Sequence, residues 1–324
     1  MTKMLDEILK DKTSVAIGGH VRPDGDCVGA CMGLYLYMAS VYPKIQADVY
    51  LEEIPEPFEF LRGTEQIKHT APKNKRYDLF ISLDCGDSER LGFSESLFRT
   101  AESTFCVDHH ISNQSFADIN YIVPDASSTC ELLFRLMDQT RITKEVAEAL
   151  YVGIAHDTGV FLYSCTAPET MEAAATLLRT GIDANAIIDR TYYVKTYIQN
   201  QILGRALLES ILLLNHKCIA SVITKNVMDF YEAKPSDLEG IVSQLRNTEG
   251  VEVAIFMYEL ENQVFKVSLR SNGNVNVSTI AQYFGGGGHE RAAGVTMRGT
   301  SYDVMNNLLR QIAHQLPKES GKQK

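Results

Sequence analysis

The sequence lacks the features of a membrane or secreted protein. Among its 324 residues there is no Trp, which by itself excludes nothing. The longest apolar stretch, Val28 to Tyr42, is broken by Gly29, Gly33 and Ser40 and is too short to span a bilayer. No apolar segment follows a basic N-terminal start, so no secretory signal is recognised. We therefore expect a cytoplasmic protein without membrane association.

Paired cysteines and excess positive charge are also missing. The seven cysteines include no Cys-x-x-Cys pair, which fits reduced thiols better than a disulfide framework or a thiolate zinc site. Cys27 and Cys31 fall one helical turn apart in an apolar stretch, which indicates packing. A formal net charge of −10 argues against a basic face that coats long nucleic acid. A short anion held at one point stays compatible, because bound divalent cations and a few arginines reverse the field locally.

What is present is an ordinary folded composition with one unusual polar cluster. Hydrophobic residues make up 45% and charged residues 22% of the chain, which is long enough for two domains with separate cores. The apolar run from Thr104 to Val107 predicts a buried strand, and Asp108, His109 and His110 follow it directly. An isolated triplet of this kind is more often a loop that hydrogen-bonds to backbone, so its meaning depends on the rest of the chain.

Acidic and histidine residues follow other predicted strands in the same way. The strand Ser14 to Gly19 leads to His20, Asp24 and Asp26, a mix of imidazole and carboxylate that suits a divalent metal. The alternative is a capping loop in which Asp26 serves the helix that begins near Val28. Further candidates lie after the strand Tyr77–Leu83, in Asp84 and the nearby Arg90, and at the end of a helix from about Thr143, in Asp157. A cation near Asp157 would offset the negative end of that helix dipole.

Strands alternate with helices through this half of the chain, which predicts a parallel, doubly wound α/β sheet. Another strand is predicted at Ala47–Leu51, and Ser128 and Thr166 are predicted to cap helices. Ligands bind outside the carboxyl ends of the strands in such sheets. We therefore expect the polar residues that follow the strands to meet in one crevice.

The C-terminal part predicts a helical connector and a smaller α+β domain. We assign 1–181 to the first domain, 182–209 to the connector and 210–324 to the second domain. Strands are predicted at 210–224, 251–258 and 263–270, with helices at 236–246 and 277–284.

The second domain contains a run of four glycines, Gly285 to Gly288, followed by His289. Such a run is often a flexible link, but here it follows an apolar helix and lies beside His289 and Arg291. These neighbours favour a phosphate-binding loop that presents backbone N–H groups as an anion nest. Arg270 and Ser271 end a predicted strand and are the other candidates for contacting an anion.

Taken together, these motifs resemble the DHH phosphoesterase superfamily. The matching motifs occur in the family order: His20-x-x-x-Asp24-x-Asp26, Asp84, Asp108-His109-His110 and Asp157. Gly286, Gly287, Gly288 and His289 resemble the GGGH motif of the DHH-associated C-terminal domain. The two-domain plan is most similar to the NrnA-like enzymes, whereas RecJ-type exonucleases are longer and family II pyrophosphatases lack the glycine run.

The resemblance implies two divalent metal ions, with Mn²⁺ expected and Mg²⁺ or Co²⁺ as alternatives. The first ion would be held by His20, Asp24 and Asp84, and the second by Asp26, Asp84, His109 and Asp157. Asp108 would orient an imidazole, and His110 would face the scissile phosphate. The substrate would be contacted by Arg270, Ser271, Gly286, Gly287, Gly288, His289 and Arg90.

The implied activity is metal-dependent hydrolysis of very short RNA to mononucleotides, removal of the 3′-phosphate of adenosine 3′,5′-bisphosphate (pAp), or both. One alternative is a phosphodiesterase for linear or cyclic dinucleotides such as pApA, pGpG or cyclic-di-AMP. An alternative of another class is a non-catalytic nucleotide-binding protein. The expected partners are short single-stranded RNA or a small nucleotide, with no long duplex, and the resemblance implies a homodimer.

Overall fold

A computed structural model describes residues 2–316, and the chain divides after Val194 into two compact units. This boundary falls inside the segment 182–209 that the sequence predicts as a connector. Ile187 packs into the core of the first unit, whereas Ile202 and Ala206 pack into a core of the second. The two halves of that segment therefore belong to different units.

The first unit is built on five parallel strands in the order β2-β1-β3-β4-β5, which confirms the predicted α/β class. The strands are β1 Ser14–Gly18, β2 Gln46–Tyr50, β3 Leu79–Leu83, β4 Thr104–Asp108 and β5 Ile119–Ile122. β3 and β4 are buried at every position, as expected for strands covered on both faces. β5 is a short, partly exposed edge strand that the sequence pattern does not reveal.

Helices cover both faces of this sheet. They are α1 Thr2–Leu9, α2 Gly25–Val41, α3 Glu95–Thr100, α4 Thr129–Leu136, α5 Lys144–Asp157, α6 Pro168–Leu178 and α7 Ala184–Ile188, with short 3₁₀ helices at Glu56–Phe58, Thr64–Gln66, Glu89–Ser94 and Gln139–Arg141 and a π-helical turn at Asp189–Tyr193. The larger core lies between the sheet and α2, α4 and α5, and a smaller cluster that includes Phe80 and Phe98 covers the other face. Over the described range 2–316, no helix combines the length and apolarity that crossing a membrane requires.

Two helices are capped by other residues than those considered from the sequence, where Thr166 was the predicted cap of one and Asp26 an alternative cap of the other. Asp24, rather than Asp26, caps α2, because its side chain accepts hydrogen bonds from the N–H groups of Asp26 and Cys27. α6 begins after Ala167 rather than Thr166, and Thr170 closes its first turn by accepting from the N–H of Ala167. Because Asp24 caps α2, the Asp26 side chain is not used as the cap and can form other contacts in the site.

The second unit is built on a six-stranded sheet in the order β10-β11-β9-β8-β7-β6. Only β7 and β8 run parallel, and the other neighbours are antiparallel. The strands are β6 Ile211–Leu213, β7 Cys218–Ile223, β8 Val253–Glu261, β9 Val264–Ser271, β10 Gly287–His289 and β11 Ala292–Arg298. The predicted strand 210–224 is therefore a hairpin of two strands.

Helices also pack on both faces of the second sheet. They are α8 Tyr197–Leu208, α9 Lys225–Phe230, α10 Ile241–Arg246, α11 Val277–Tyr283 and α12 Ser301–Gln315, with a 3₁₀ helix at Pro235–Leu238. α11 and α12 cover the face that carries Val267 and Val295, and α8 and α10 cover part of the opposite face. On β9 and β11 that opposite face is only partly covered.

Candidate active site

Asp84 lies at the centre of the polar residues in the first unit. It follows β3, is 2% exposed, and has φ +54°, a backbone region that few residues other than glycine adopt. Its Oδ2 lies 3.4 Å from Nε2 of His20, and its Oδ1 lies 3.6 Å from both Nε2 of His109 and Nδ1 of His110. The two oxygens of one carboxylate therefore face two different groups of imidazoles.

The first group contains His20 and Asp24, at the exit of β1 and the start of α2. Nε2 of His20 lies 3.6 Å from Oδ1 of Asp24. Nδ1 of His20 donates to the carbonyl oxygen of Val21 at 2.9 Å, which leaves Nε2 facing the carboxylates. A second interaction that fixes the imidazole tautomer in this way is typical of metal-binding histidines.

The second group is arranged around His109. Its Nε2 lies 3.1 Å from Oδ2 of Asp157 and 3.9 Å from Oδ2 of Asp26. Asp26 is fully buried and accepts from the N–H of Thr129 at 2.6 Å and of Cys130 at 2.9 Å, at the beginning of α4. The helix N-terminus thus stabilises the carboxylate charge and fixes its position.

Asp108 and His110 form a third part of the site. Nδ1 of His110 lies 2.7 Å from Oδ1 of the fully buried Asp108. Oδ2 of Asp108 accepts a 2.7 Å hydrogen bond from the side-chain amide of Asn113. Sequence reasoning missed Asn113, because a single amide in a loop carries no pattern that distinguishes it. The structure brings together eight of the nine predicted site residues of the first unit. The ninth, Arg90, lies in the 3₁₀ helix Glu89–Ser94.

The imidazoles carry strongly shifted pKa values. Burial lowers the pKa of His20, but hydrogen bonds with Asp24 and Asp84 outweigh burial and raise it to about 12. Burial likewise lowers the pKa of His109, but hydrogen bonds with Asp157 and Asp84 outweigh burial and raise this pKa to about 12. Both shifts have the same physical cause, which is the density of carboxylates around each ring.

The carboxylates respond in opposite directions. Burial raises the pKa of Asp26 well above its usual value, and the nearby charges of Asp84 and Asp157 raise it further. Burial also raises the pKa of Asp157, to about 6. Although burial would raise the pKa of Asp84, hydrogen bonds from the two imidazoles lower it. Neighbouring carboxylates whose pKa values are shifted in opposite directions are characteristic of functional sites.

The chemistry of these donors fits divalent cations. Five carboxylates and three imidazoles converge here, so negative charge exceeds what protonated imidazoles can neutralise: Asp24, Asp26, Asp84, Asp108, Asp157, His20, His109 and His110. Mixed imidazole and carboxylate ligands suit Mn²⁺ and similar ions. Nitrogen and oxygen atoms of Asp26, His109 and Asp157 also lie within 4.8 Å of one another, which is compatible with one shared cation.

In the second unit, strand register relates Arg270 to His289. Arg270 on β9 pairs with Ala292 on β11, and Ala292 pairs with His289 on β10. Directly opposed residues in antiparallel strands point to the same face, so only a methyl group separates the two side chains in this row. The next row on this face contains Gly294, which has no side chain. Arg270 and His289 therefore flank a shallow floor of small residues.

Several candidates in the second unit are placed differently from the prediction. Gly287 and Gly288 belong to β10 instead of a loop. The N–H of Gly286 donates to the carbonyl of Ala281 at the end of α11, so it cannot form part of an anion nest. Ser271 is 1% exposed, and its hydroxyl accepts from the N–H of Gly273, which leaves it inaccessible to a ligand in this conformation.

Comparisons with known proteins agree with this arrangement. A model described as "DHH family, N-terminal domain" matches residues 14–154, and one described as "DHHA1 domain" matches residues 215–317. The "Bifunctional oligoribonuclease and PAP phosphatase NrnA" of Thermus thermophilus is 28% identical over 306 residues, covering 93% of this chain and 90% of the relative. The protein of the same name from Bacillus subtilis is 24% identical over 302 residues, covering 91% and 92%.

A solved structure shares the fold along nearly the whole chain. It is an exopolyphosphatase-related protein from Bacteroides fragilis, with a TM-score of 0.88, 24% identity, and coverage of 97% of this chain and 95% of that one. Because the two family models and the NrnA relatives align along most of the sequence in the same order, the chain belongs to the DHH family and is an NrnA-like phosphoesterase.

Proposed function

We propose that this phosphoesterase hydrolyses very short RNA oligonucleotides to mononucleotides and removes the 3′-phosphate of pAp. The observation that carries the proposal is the position of Asp84, whose two oxygens face separate groups of imidazoles and carboxylates. That arrangement suits a pair of cations sharing one carboxylate, as in many enzymes that cleave phosphoesters. The relatives named as oligoribonuclease and PAP phosphatase support the choice of substrate.

DHH phosphoesterases depend on metal ions, and we propose Mn²⁺ as the metal used here. His20, Asp24 and Asp84 would hold one ion, and Asp26, Asp84, His109 and Asp157 would hold the other. When bound, such ions lower the pKa of a water molecule to about 7 and stabilise negative charge on phosphoryl oxygens. Substitution of Asp84 alone would then affect the binding of both ions.

The residues of the chain contribute orientation and charge to the reaction. Asp108 accepts from Nδ1 of His110, which fixes the ring and leaves Nε2 as the atom that can donate to the scissile phosphate or its leaving oxygen. A donor already fixed in place costs no reorganisation as charge develops on the phosphate. His110 is 24% exposed, so its ring is accessible to a substrate.

Arg270 and His289 are the residues of the second unit that we propose to contact the substrate. Arg270 offers a planar guanidinium suited to a phosphate, and His289 flanks the other side of the floor formed by Ala292 and Gly294. Because β10 is the edge strand and successive N–H groups of a strand point in opposite directions, the backbone N–H of either Gly287 or Gly288 is a further candidate donor. Arg90 and Ser271 complete the proposed contacts, and Ser271 would need a local rearrangement to take part.

A substrate panel tests the proposed function. Purified protein is supplied with Mn²⁺ or with chelator and offered pAp, a linear dinucleotide, an RNA pentanucleotide and cyclic-di-AMP. We expect Mn²⁺-dependent release of mononucleotides from the short RNAs and of phosphate from pAp. Cleavage restricted to dinucleotides would instead identify a dinucleotide phosphodiesterase. Tight nucleotide binding with no hydrolysis of any substrate would indicate a non-catalytic protein.

We also propose a cytoplasmic homodimer. Analytical ultracentrifugation of the full chain tests the assembly, for which a single species of twice the chain mass is expected. A concentration-independent monomer would contradict it.

A further inference from the structure

Cys27 places a thiol beside the first group of the site. It is the third residue of α2 and is fully buried. Its Sγ, a ring nitrogen of His20 and a carboxylate oxygen of Asp84 lie within 4.8 Å of one another. We propose that these three residues form an alternative, sulfur-containing ligand set that binds a thiophilic divalent cation such as Zn²⁺ or Cd²⁺. The sequence pattern indicates only a packing role for this cysteine.

The backbone around Cys27 fixes the position of the sulfur. Oδ1 of Asp24 accepts from the N–H of Cys27 at 3.1 Å, which holds the first turn of α2 against the loop after β1. A Cβ at Gly19 would lie 2.3 Å from Sγ of Cys27, so glycine is the residue that leaves room for the sulfur at the end of β1. The sulfur is therefore packed against the same loop that presents His20.

The two ligand sets differ in one donor. His20 and Asp84 are common to both, and the third donor is either the carboxylate of Asp24 or the sulfur of Cys27. Carboxylate oxygen suits Mn²⁺ and Mg²⁺, whereas thiolate sulfur favours Zn²⁺ and Cd²⁺. The Asp24 side chain is 60% exposed and Cys27 is buried, so the sulfur is the donor better shielded from water. Soft cations would therefore compete with Mn²⁺ for the first metal position and would be bound there more tightly than Mn²⁺.

Other thiols nearby do not share this arrangement. Of the three groups of candidate metal-binding side chains found among the described residues, only the one with Cys27 contains sulfur. Cys130 is equally buried, and each of the two thiols donates to a backbone carbonyl oxygen, Cys130 to that of Asp26 at 3.6 Å and Cys27 to that of His20 at 4.0 Å. Cys130 differs from Cys27 in belonging to none of the candidate ligand groups. It provides a matched control, because it lies near the second group without belonging to a ligand set.

Cobalt titration tests the sulfur ligand directly. The inference rests on the proposed use of His20 and Asp84 as metal ligands, so the wild-type protein is first titrated with Mn²⁺. Co²⁺ is then added, and a near-ultraviolet sulfur-to-cobalt charge-transfer band is expected in the wild type and in Cys130→Ser. The band is expected to disappear in Cys27→Ser and Cys27→Ala. Thermal unfolding and circular dichroism of each variant confirm that it is folded.

Competition with a chromophoric chelator provides the affinities. Loss of the sulfur is expected to weaken Zn²⁺ binding about 10- to 100-fold, the scale on which changes around a metal site act, and to change Mn²⁺ binding much less. Wild-type protein that binds Co²⁺ without the band, or a band that persists in both Cys27 variants, would overturn the inference while leaving the proposed function intact. Wild-type protein that binds neither Mn²⁺ nor Co²⁺ would overturn both.

Discussion

The side-chain amide of Asn113 donates a 2.7 Å hydrogen bond to Oδ2 of Asp108. The other oxygen of Asp108 receives Nδ1 of His110 at 2.7 Å, so the amide acts on the imidazole through the carboxylate. Nδ2 of Asn113 also lies 3.1 Å from the carbonyl oxygen of Cys85, immediately after Asp84. Asn113 is therefore a positioning residue that links the loops following β3 and β4.

Replacing Asn113 with Ala should lower kcat more than it raises KM. Without the amide, Asp108 loses one of its fixed hydrogen bonds and the His110 ring gains orientational freedom. We expect kcat to fall about 10- to 100-fold, as found for residues that support catalytic groups indirectly. Asn120→Ala is the control, since the described hydrogen bonds of the Asn120 side chain all involve the nearby backbone of Ala117. A rise in KM with unchanged kcat would contradict the positioning role, and ¹⁵N NMR of His110 reports the tautomer independently.

Asp84→Asn should abolish hydrolysis together with metal binding. Asn keeps the shape of Asp and tolerates the positive φ of this position, whereas Asp84→Ala would also add backbone strain. We expect both variants to lose activity by about 10³-fold or more, which corresponds to roughly 4 kcal/mol of transition-state stabilisation. Elemental analysis after dialysis should show loss of both ions. Glu89→Gln, at an exposed nearby position, is the control, and wild-type turnover in Asp84→Asn would contradict the shared carboxylate.

Arg270→Ala should chiefly raise KM. The guanidinium is proposed to contribute to substrate binding and not to the chemical step, so its loss would remove binding that is equally strong in the ground state and the transition state. We expect KM for a dinucleotide to rise about tenfold, or roughly 1.4 kcal/mol. Lys266→Ala provides a matched control, because Lys266 lies on the same strand and face, four residues earlier. An unchanged KM in Arg270→Ala would remove this residue from the substrate site.

The sequence predicted where the candidate metal-binding residues that follow strands lie in the fold, because those strands are unambiguous. β3 and β4 are continuous buried runs, so their ends, and the side chains that follow them, could be located within about two residues. The parallel order of such strands then placed Asp84 and Asp108 at one edge of the sheet. The proximity of Asp84 and Asp108 follows from these two facts, whereas Asp157 lies at the end of α5 and is brought to the same place by the packing of that helix.

Other features depend on contacts that a linear pattern does not contain. β10 consists largely of glycine, which has no side chain to produce alternation and a low preference for strands. Its register with β11, which aligns His289 and Arg270, is visible only in the fold. In the same way, the N–H groups that hold Asp26 belong to α4, more than 100 residues further along the chain.

Alanine substitutions should distinguish the role of Gly286, which precedes β10, from that of Gly287, its first residue. A Cβ at Gly286 would lie 2.3 Å from the carbonyl oxygen of Gly294 and 2.5 Å from Cβ of Val295. A Cβ at Gly287 would meet no heavy atom of the described chain within 4 Å. We expect Gly286→Ala to lower the free energy of unfolding by about 1–3 kcal/mol through overpacking, and Gly287→Ala to leave it close to wild type. Equal stability of the two variants in chemical denaturation would contradict this account of β10.

Acid stability should depend on Asp48 in the first unit. Its carboxylate lies 2.7 Å from Nζ of Lys68 and 2.5 Å from Nζ of Lys75, and it accepts a 2.5 Å hydrogen bond from the hydroxyl of Tyr77. Burial would raise the pKa of Asp48, but these partners outweigh burial and lower it to about 2. The side chain is 11% exposed, so solvent screens these interactions only in part.

A lowered pKa in the folded state means that the charged form of Asp48 stabilises the fold. This contribution is fully present above the unfolded-state pKa of about 4 and is lost as pH falls towards about 2. Asp48→Asn should therefore cost about 1–2 kcal/mol of unfolding free energy at pH 6, and the difference from wild type should shrink steadily below pH ~4. The exposed Glu53→Gln should show no comparable dependence when urea unfolding is followed between these pH values. A wild-type-to-variant difference that stays constant on acidification would mean that Asp48 acts through packing instead of charge.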